Sequence, residues 1–319
     1  QTPRTPRTRM NAVTLTEDGP GAASGTDFRF DLDELRVAAL SNRGMIAELL
    51  RDQVVERCSG VGNVTIEIEP EPGMFELIDV DVSEACNLLE GWDRRLDIGS
   101  VGAVVWREFV GSFSDGALTD RGFLFEVGFS PDKWVATPNT LAAAGMNSDP
   151  VLDALAEGVW RLGEAGIPLD APLGDVQFTK KYTERLDPDD PDAEPAFDTI
   201  PIGGGGRKEG VTNLITYRSF KSTREPDLPR GEVINASTYL TDEGYVINYG
   251  TSFIMTTEFT DDGPQAFAFV TYSQSGDPES PFHADQTRLF SNEQWRQVRF
   301  TEEDIANDPA LEVEVVFGF

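Results

Sequence analysis

The chain has 319 residues, enough for a sizeable core in one large domain or two ordinary ones. Its 56 acidic residues against 26 basic ones give a formal net charge of −30, which by sign alone makes duplex nucleic acid and anionic membranes poor partners. No apolar run approaches the ~20 residues of a membrane span.

Five of the basic residues are lysine: Lys133, Lys180, Lys181, Lys208 and Lys221. An acidic surface poor in lysine suits a protein kept soluble in very high salt, where the Debye length falls to about 3 Å. A halophilic source is expected, with a calcium-binding or otherwise functional acidic surface as the alternative. No secretory n-region with h-region opens the chain, and the start at Gln1 reads as a fragment or a processed chain.

The opening "QTPRTPRTRMNAV" places Arg4, Arg7 and Arg9 together against an acidic background. Such a cluster asks for a carboxylate or a backbone carbonyl to hold, a surface tail being the bland alternative. From "DFRFDLDELRVAAL" onward, Leu35, Ala38, Ala39, Ile46, Leu49, Leu50 and Val54 recur at three- and four-residue steps. They predict one or two amphipathic helices begun by an Asp cap, with Asn42 and Arg43 interrupting the pattern. "SEACNLLEGWDRRL" predicts a helix from Ser83, "SVGAVVWREFVGSF" is helical or mixed, and "SDPVLDALAEGVWRLGEAG" is a helix capped by Ser148 or Asp149 and ended by Gly166. Residues 26–166 are therefore expected to be mainly helical.

The Pro, Gly and Asp content of "DPDDPDAEPAFDTIPIGGGGRKEG" reads as an exposed loop. Beyond it, "VINASTYL", "YVINYGTSFIMTTEF" and "QAFAFVTYSQS" predict strands in an antiparallel meander, "NEQWRQVRFTEEDIAND" a short helix or loop, and "LEVEVVF" a terminal strand. Residues 200–319 are thus expected to be mainly β, and there is no internal repeat.

"GGGGRKEG" lacks the G-K-[ST] ending of a phosphate loop and reads as a flexible turn. His283 is the single histidine, so a histidine-based metal site is unsupported. Ser280, His283 and Asp285 lie too close on one extended segment to converge as a triad. Fifty-six carboxylates permit a glycosidase pair without discriminating it. Cys58 and Cys86 are too few for a disulfide scaffold, and one disulfide or two buried thiols are both open.

"YSQSGDPESPFHADQTRLFSNEQWRQVRFTEEDI" resembles the carboxy-terminal signature of the penicillin amidase family, in particular its aculeacin A acylase and acyl-homoserine lactone acylase branch. The elements that carry the resemblance are Tyr272 to Ser275, Asp277-Pro278, Ser280-Pro281, Asp285-Gln286, Phe290-Ser291, Trp295, and Phe300 to Glu302. "ACNLLEGWDRRLDIGSVGAVVWREF", "PLGDVQ", "IPIGGGGRKEGVTN" and "SNRGMIAELLRDQVVERC" are also similar to that branch, so the likeness covers nearly the whole chain. "SPFH" departs from the branch, which places the histidine directly after Ser-Pro. That histidine is not the family's catalytic one.

The resemblance implies an α+β fold, the C-terminal portion of a four-layer αββα N-terminal nucleophile hydrolase, with residues 1–319 one partial domain from the large (beta) chain. It implies hydrolysis of an acyl amide of penicillin, aculeacin or acyl-homoserine lactone type through an acyl-enzyme. The nucleophile is a serine whose own α-amine is the base; an amine of pKa ~7.7 to 8.0 needs no histidine. That serine and the oxyanion asparagine precede Gln1 in the family, so this segment alone is expected to be inactive. Its partners are the missing small chain and the N-terminal part of the large chain. The segment "PRTPRTRM" resembles the one carrying the family's site-ordering arginine, which points to Arg7 with Arg9 second. No cofactor is required, calcium belongs to relatives through ligands that lie largely upstream, and export from a halophilic archaeon with a Cys58–Cys86 disulfide follows. The alternative is a non-catalytic acidic binding module that keeps the fold.

Overall fold

The computed structural model describes residues 4–146, 148–185, 195–219, 228–261 and 263–318; residues 187–194 of the expected acidic loop lie outside them. Helix α1 (Pro6–Thr16) begins where the Thr5 hydroxyl accepts from Thr8 N at 3.2 Å, with Pro6 in the first turn. Helix α2 (Leu32–Ala39) opens on a full capping box, Glu34 N donating to Asp31 Oδ1 at 2.8 Å and Asp31 N to Glu34 Oε2 at 3.0 Å. The chain breaks at Asn42, whose φ is 46°, and α3 (Met45–Cys58) then buries Ile46, Ala47, Leu50, Val54 and Cys58. The expected interruption at Asn42 and Arg43 thus separates two helices.

The region after α3 departs from the helical expectation. Strands β1 (Asn63–Glu71) and β2 (Met74–Asp81) form an antiparallel hairpin. The cause is a period of two: Val64, Ile66 and Ile68 pack on the core while Thr65, Glu67 and Glu69 face water. Helix α4 (Ser83–Gly91) is joined to α3 by a disulfide between Cys58 and Cys86, Cα atoms 5.9 Å apart.

Helix α5 (Ala103–Gly111) is buried at every residue, Arg107 and Glu108 included, so it has no wet face for periodicity to reveal. Strands β3 (Phe125–Val127) and β4 (Asn139–Leu141) pair antiparallel. Helix α6 (Pro150–Glu164) is capped by Asp149, which accepts from Val151 N at 3.1 Å. It crosses α5 at Gly158, where a Cβ would stand 3.0 Å from Phe109 N, so a larger residue would push the two helices apart by a few tenths of an ångström. Trp92, Trp106, Phe109 and Phe113 stack through the core, with ring centroids 5.5, 5.0 and 5.4 Å apart in turn.

A short helix α7 (Leu173–Val176) leads into β5 (Gln177–Tyr182) and β6 (Phe197–Pro201). Strands β7 (Ile215–Thr216), β8 (Val233–Asn235), β9 (Leu240–Thr241), β10 (Tyr245–Val246), β11 (Tyr249–Gly250), β12 (Phe253–Thr260) and β13 (Gly263–Val270) follow. Helix α8 (Asp285–Ser291), β14 (Arg296–Gln297) and α9 (Glu302–Ala306) complete the order. One sheet runs β10–β5–β6 and another β12–β13–β14, and the fold is α+β.

Three expectations are corrected here. The antiparallel meander holds for β12–β13–β14, but β10 instead pairs parallel with β5. Tyr245 and Val246 are each 1 % exposed, as in a strand covered on both faces. The stretch read as an exposed loop contains β6 and a buried turn at Gly203–Gly205. Gly204 has φ 116°, and its Cβ would meet Asn213 O at 2.9 Å, so these glycines permit close backbone contact instead of motion. Finally, "LEVEVVF" alternates like a strand but finds no partner edge among the described residues, and Val313 and Val316 are 78 % and 81 % exposed.

Candidate functional site

Residues two apart on an α-helix lie about 200° apart around its axis, so Arg7 and Arg9 leave α1 in different directions. Arg7 Nε donates to the Thr212 carbonyl at 2.9 Å, and Asn11 Oδ1 holds the Thr212 hydroxyl at 2.9 Å. Arg9 is buried and donates through Nη1 to the Pro138 carbonyl, just before β4. Its Nε has no partner among the described residues, and burial lowers its pKa. The helix is therefore clamped between two loops by arginine-to-carbonyl bonds, and the two candidate arginines do not converge on one point.

Beneath α1 lies a polar network that the sequence patterns did not reveal. Arg107 Nε meets Glu209 Oε1 at 2.7 Å, with side chains 5 % and 6 % exposed. The other arms of the Arg107 fork reach Gln177 Oε1 and, at 3.2 Å, the Gly204 carbonyl. Gln177 Nε2 donates to the Ile202 and Gly204 carbonyls. The glycine turn segment 202–209 is thus fixed to α5 and β5 by four buried hydrogen bonds, and a fifth, Arg107 to Gln177, ties α5 to β5.

The turn transmits this rigidity to α1. Ile46 N donates to the Glu209 carbonyl at 3.2 Å, and at Gly210 a Cβ would stand 2.7 Å from both Pro6 Cβ and Met45 Cβ. On the other side of α5, Glu108 accepts from Asn235 Nδ2 at 2.7 Å and from the Tyr245 hydroxyl at 2.8 Å. Burial pushes the Glu108 carboxyl pKa up, and burial followed by the Glu108 charge raises that of the Tyr245 hydroxyl. Arg107 also lies 4.7 Å from the Tyr245 ring centroid. The available signal was the Arg-Glu pair inside the apolar run "GAVVWREFVG", because charges in a buried helix require buried partners.

A cavity of about 320 Å³ opens beside this network, walled by Leu214, Ile215, Val246 and Ile247 and bordered by Tyr217 and Tyr239. Lys208 Nζ there meets Ser237 Oγ at 2.7 Å, which raises the question of a serine–lysine pair. The ammonium also donates to the Gly111 and Phe113 carbonyls, and the Ser237 hydroxyl donates to Gly111 O at 2.8 Å. All three lysine N–H groups are engaged and the serine proton points away, so the lysine has no lone pair to offer as a base.

His283 Nδ1 lies 3.0 Å from the Ser275 carbonyl, while Ser280 Oγ accepts from Phe282 N at 3.2 Å. The imidazole bonds neither Ser280 nor Asp285, and the His283 N–H donates to the Ser280 carbonyl at 3.1 Å to close a turn. Among the described residues no group of three or more His, Cys, Asp or Glu gathers as metal ligands.

A sequence profile of the family described as penicillin amidase matches residues 1–307. The chain belongs to the penicillin amidase family. It is 29 % identical over 314 residues to aculeacin-A acylase of Actinoplanes utahensis, covering 98 % of this chain and 33 % of that one. To acyl-homoserine lactone acylase PvdQ of Pseudomonas syringae pv. syringae (strain B728a) it is 30 % identical over 233 residues, covering 72 % of this chain and 25 % of that one. The chain therefore spans between a quarter and a third of the length of these penicillin amidase relatives. A solved thermostable penicillin G acylase from Alcaligenes faecalis covers 91 % of this chain and 50 % of its own, at 13 % identity and a TM-score of 0.40, a likeness too loose to carry an argument.

Proposed function

We propose that this chain is part of an N-terminal nucleophile amidohydrolase that cleaves acyl amides. The observation that carries the reading is the family match over residues 1–307; the acylase names of the relatives support amide hydrolysis. The chain spans a third or less of those relatives, and the resemblance of residues 272–302 to the family's carboxy-terminal signature is our reason for putting the nucleophilic serine upstream of Gln1. In the complete protein that serine, deprotonated by its own α-amine, adds to the amide carbonyl. The C–N bond breaks, the amine leaves with the transferred proton, and water then hydrolyses the ester to the acid.

Arg9 is the arginine of this chain best suited to order such a site. It is buried, its Nη1 is anchored on Pro138, and Nε keeps a free donor among the described residues. Arg7, turned to Thr212, fixes the helix that carries Arg9. The Cys58–Cys86 disulfide favours an oxidising compartment and hence export, and the net charge of −30 favours a high-salt source.

The test is to express the complete reading frame in high salt and measure intact mass and the N-terminal sequence of each product. A cut leaving Ser, Thr or Cys at a new amino terminus, with turnover in an acyl-amide screen, is expected. An uncut protein without turnover would overturn the reading and leave the binding module.

A further inference from the structure

Strand β12 opens with Phe253, Ile254 and Met255, and β13 ends with Ala266 to Val270. Both runs are apolar at successive positions and therefore on both faces of the sheet, the pattern of strands covered on two sides. One face is covered: Ile254 lies opposite Phe269, which packs against the Phe290 and Trp295 rings with centroids 5.7 and 4.9 Å away. The other is open. Phe253, Met255 and Phe259 stand on it and are 56 %, 54 % and 84 % exposed, and Met255 lies opposite Ala268, a side chain small enough to let another layer approach.

The tail extends this surface. From Leu311 to Val315 it alternates apolar and acidic, with Glu312 and Glu314 between Leu311, Val313 and Val315, and its apolar side chains are exposed through Phe317. A cavity of about 460 Å³ is lined by Phe253, Ala268 and Val298 on the sheet and by Ile305 and Leu311 on α9 and the tail, so the sheet face and the tail meet in one apolar surface. An uncovered sheet face beside an unpaired strand-like segment invites aggregation. A fitting cover is apolar and also offers a strand edge, as does a second sheet packed ~10 Å from the first. The chain spans 33 % and 25 % of the two acylase relatives, so two thirds or more of a protein of their length remains to supply that sheet.

We propose that the open face of β12–β13–β14 and the tail 311–317 form one docking surface for a β-layer from the part of this protein upstream of Gln1, with the tail adding to the edge of that layer as a strand. The proposal rests on the reading that the chain is part of a longer amidohydrolase, and not on the chemistry of that enzyme.

The test is photo-cross-linking of the complete protein in high salt, with p-benzoylphenylalanine placed singly at Phe259 and at Val315 and the joined peptides identified by mass spectrometry. Both positions are expected to join peptides upstream of Gln1 within one molecule. Met255→Asp/Phe259→Asp in the complete protein should lower Tm by about 5 °C or more, because it forces two charges into an apolar interface. On an open face the same changes would leave Tm within about a degree. That small a shift, or links from either position that stay within residues 1–319 or join two copies, would overturn the proposal. If the double variant fails to fold, the cross-links of the two singly labelled proteins decide. An uncut protein without turnover whose cross-links reach upstream would sink the hydrolase reading and leave this surface standing.

Discussion

Replacing Glu209 by Gln keeps the shape of the side chain and removes its charge, leaving Arg107 as an ionised group 5 % exposed. Arg107 retains Gln177 Oε1 and the Gly204 carbonyl, which satisfy hydrogen bonds but not the net charge. Two charges about 4 Å apart at an effective dielectric near 20 attract by about 4 kcal/mol, and breaking a buried pair from one side costs roughly 3–5 kcal/mol. The expected loss for Glu209→Gln is therefore about 3–4 kcal/mol. The assay is urea unfolding of the complete protein followed by tryptophan fluorescence, which Trp106, adjacent to Arg107 and fully buried, can report. Because the pair is buried, the loss should persist in high salt. The double variant Arg107→Met/Glu209→Leu removes both charges and should be less destabilised than the sum of its single changes by at least about 1 kcal/mol. A Glu209→Gln loss below about 1 kcal/mol, or strictly additive changes in the double variant, would refute the claim that this ion pair holds the glycine turn.

Further tests address other groups. Burial raises the Glu108 pKa, so the folded state holds a proton that the unfolded state releases, and stability falls as pH rises from the ordinary carboxylate range through the folded value; Glu108→Gln should flatten that part of the Tm-against-pH curve. Lys181 is shifted down to about 8 by burial, so between pH 8 and the ordinary lysine value the unfolded state binds the extra proton and stability rises with pH. Lysine ¹³C NMR should show one resonance with a midpoint near 8, absent in Lys181→Met. Opening the Cys58–Cys86 bridge, at a sequence separation of 28, should lower unfolding free energy by about 3–4 kcal/mol on chain entropy, measured by denaturant unfolding of Cys58→Ser/Cys86→Ser. Arg9→Leu should reduce kcat of the complete enzyme by about a hundredfold, the scale of a misplaced site, whereas Arg7→Leu should lower Tm with a smaller effect on kcat.

Elements with a local physical cause were legible in the sequence. The Asp31 cap, the break at Asn42 and the Asp149 cap each declare themselves within a few residues, and the structure uses all three. Long-range pairing was not legible: β10 reads like any short strand, and only the fold shows that it lies beside β5. The glycine turn was misread because glycine marks both flexible loops and crowded backbones. The crowding atoms, Asn213 O at Gly204 and the Val211 and Leu96 side chains at Gly205, show that these glycines belong to the second kind, and Leu96 lies more than a hundred residues away in sequence.

The same distinction explains the site. Arg7 and Arg9 were conspicuous because positive charge is scarce in this chain, yet their carbonyl partners Thr212 and Pro138 lie 205 and 129 residues away. The Arg107–Glu209 pair spans 102 residues and is hidden inside apolar and glycine-rich runs. A loss at Glu209 should therefore loosen α1 as well, since Gly210 seats Pro6 and the Glu209 carbonyl holds Ile46. Hydrogen exchange in Glu209→Gln should show faster exchange across 6–16 than across 150–164, which packs on α5 instead of on the turn; equal acceleration in both helices would mean that the pair stabilises the whole fold and does not position α1.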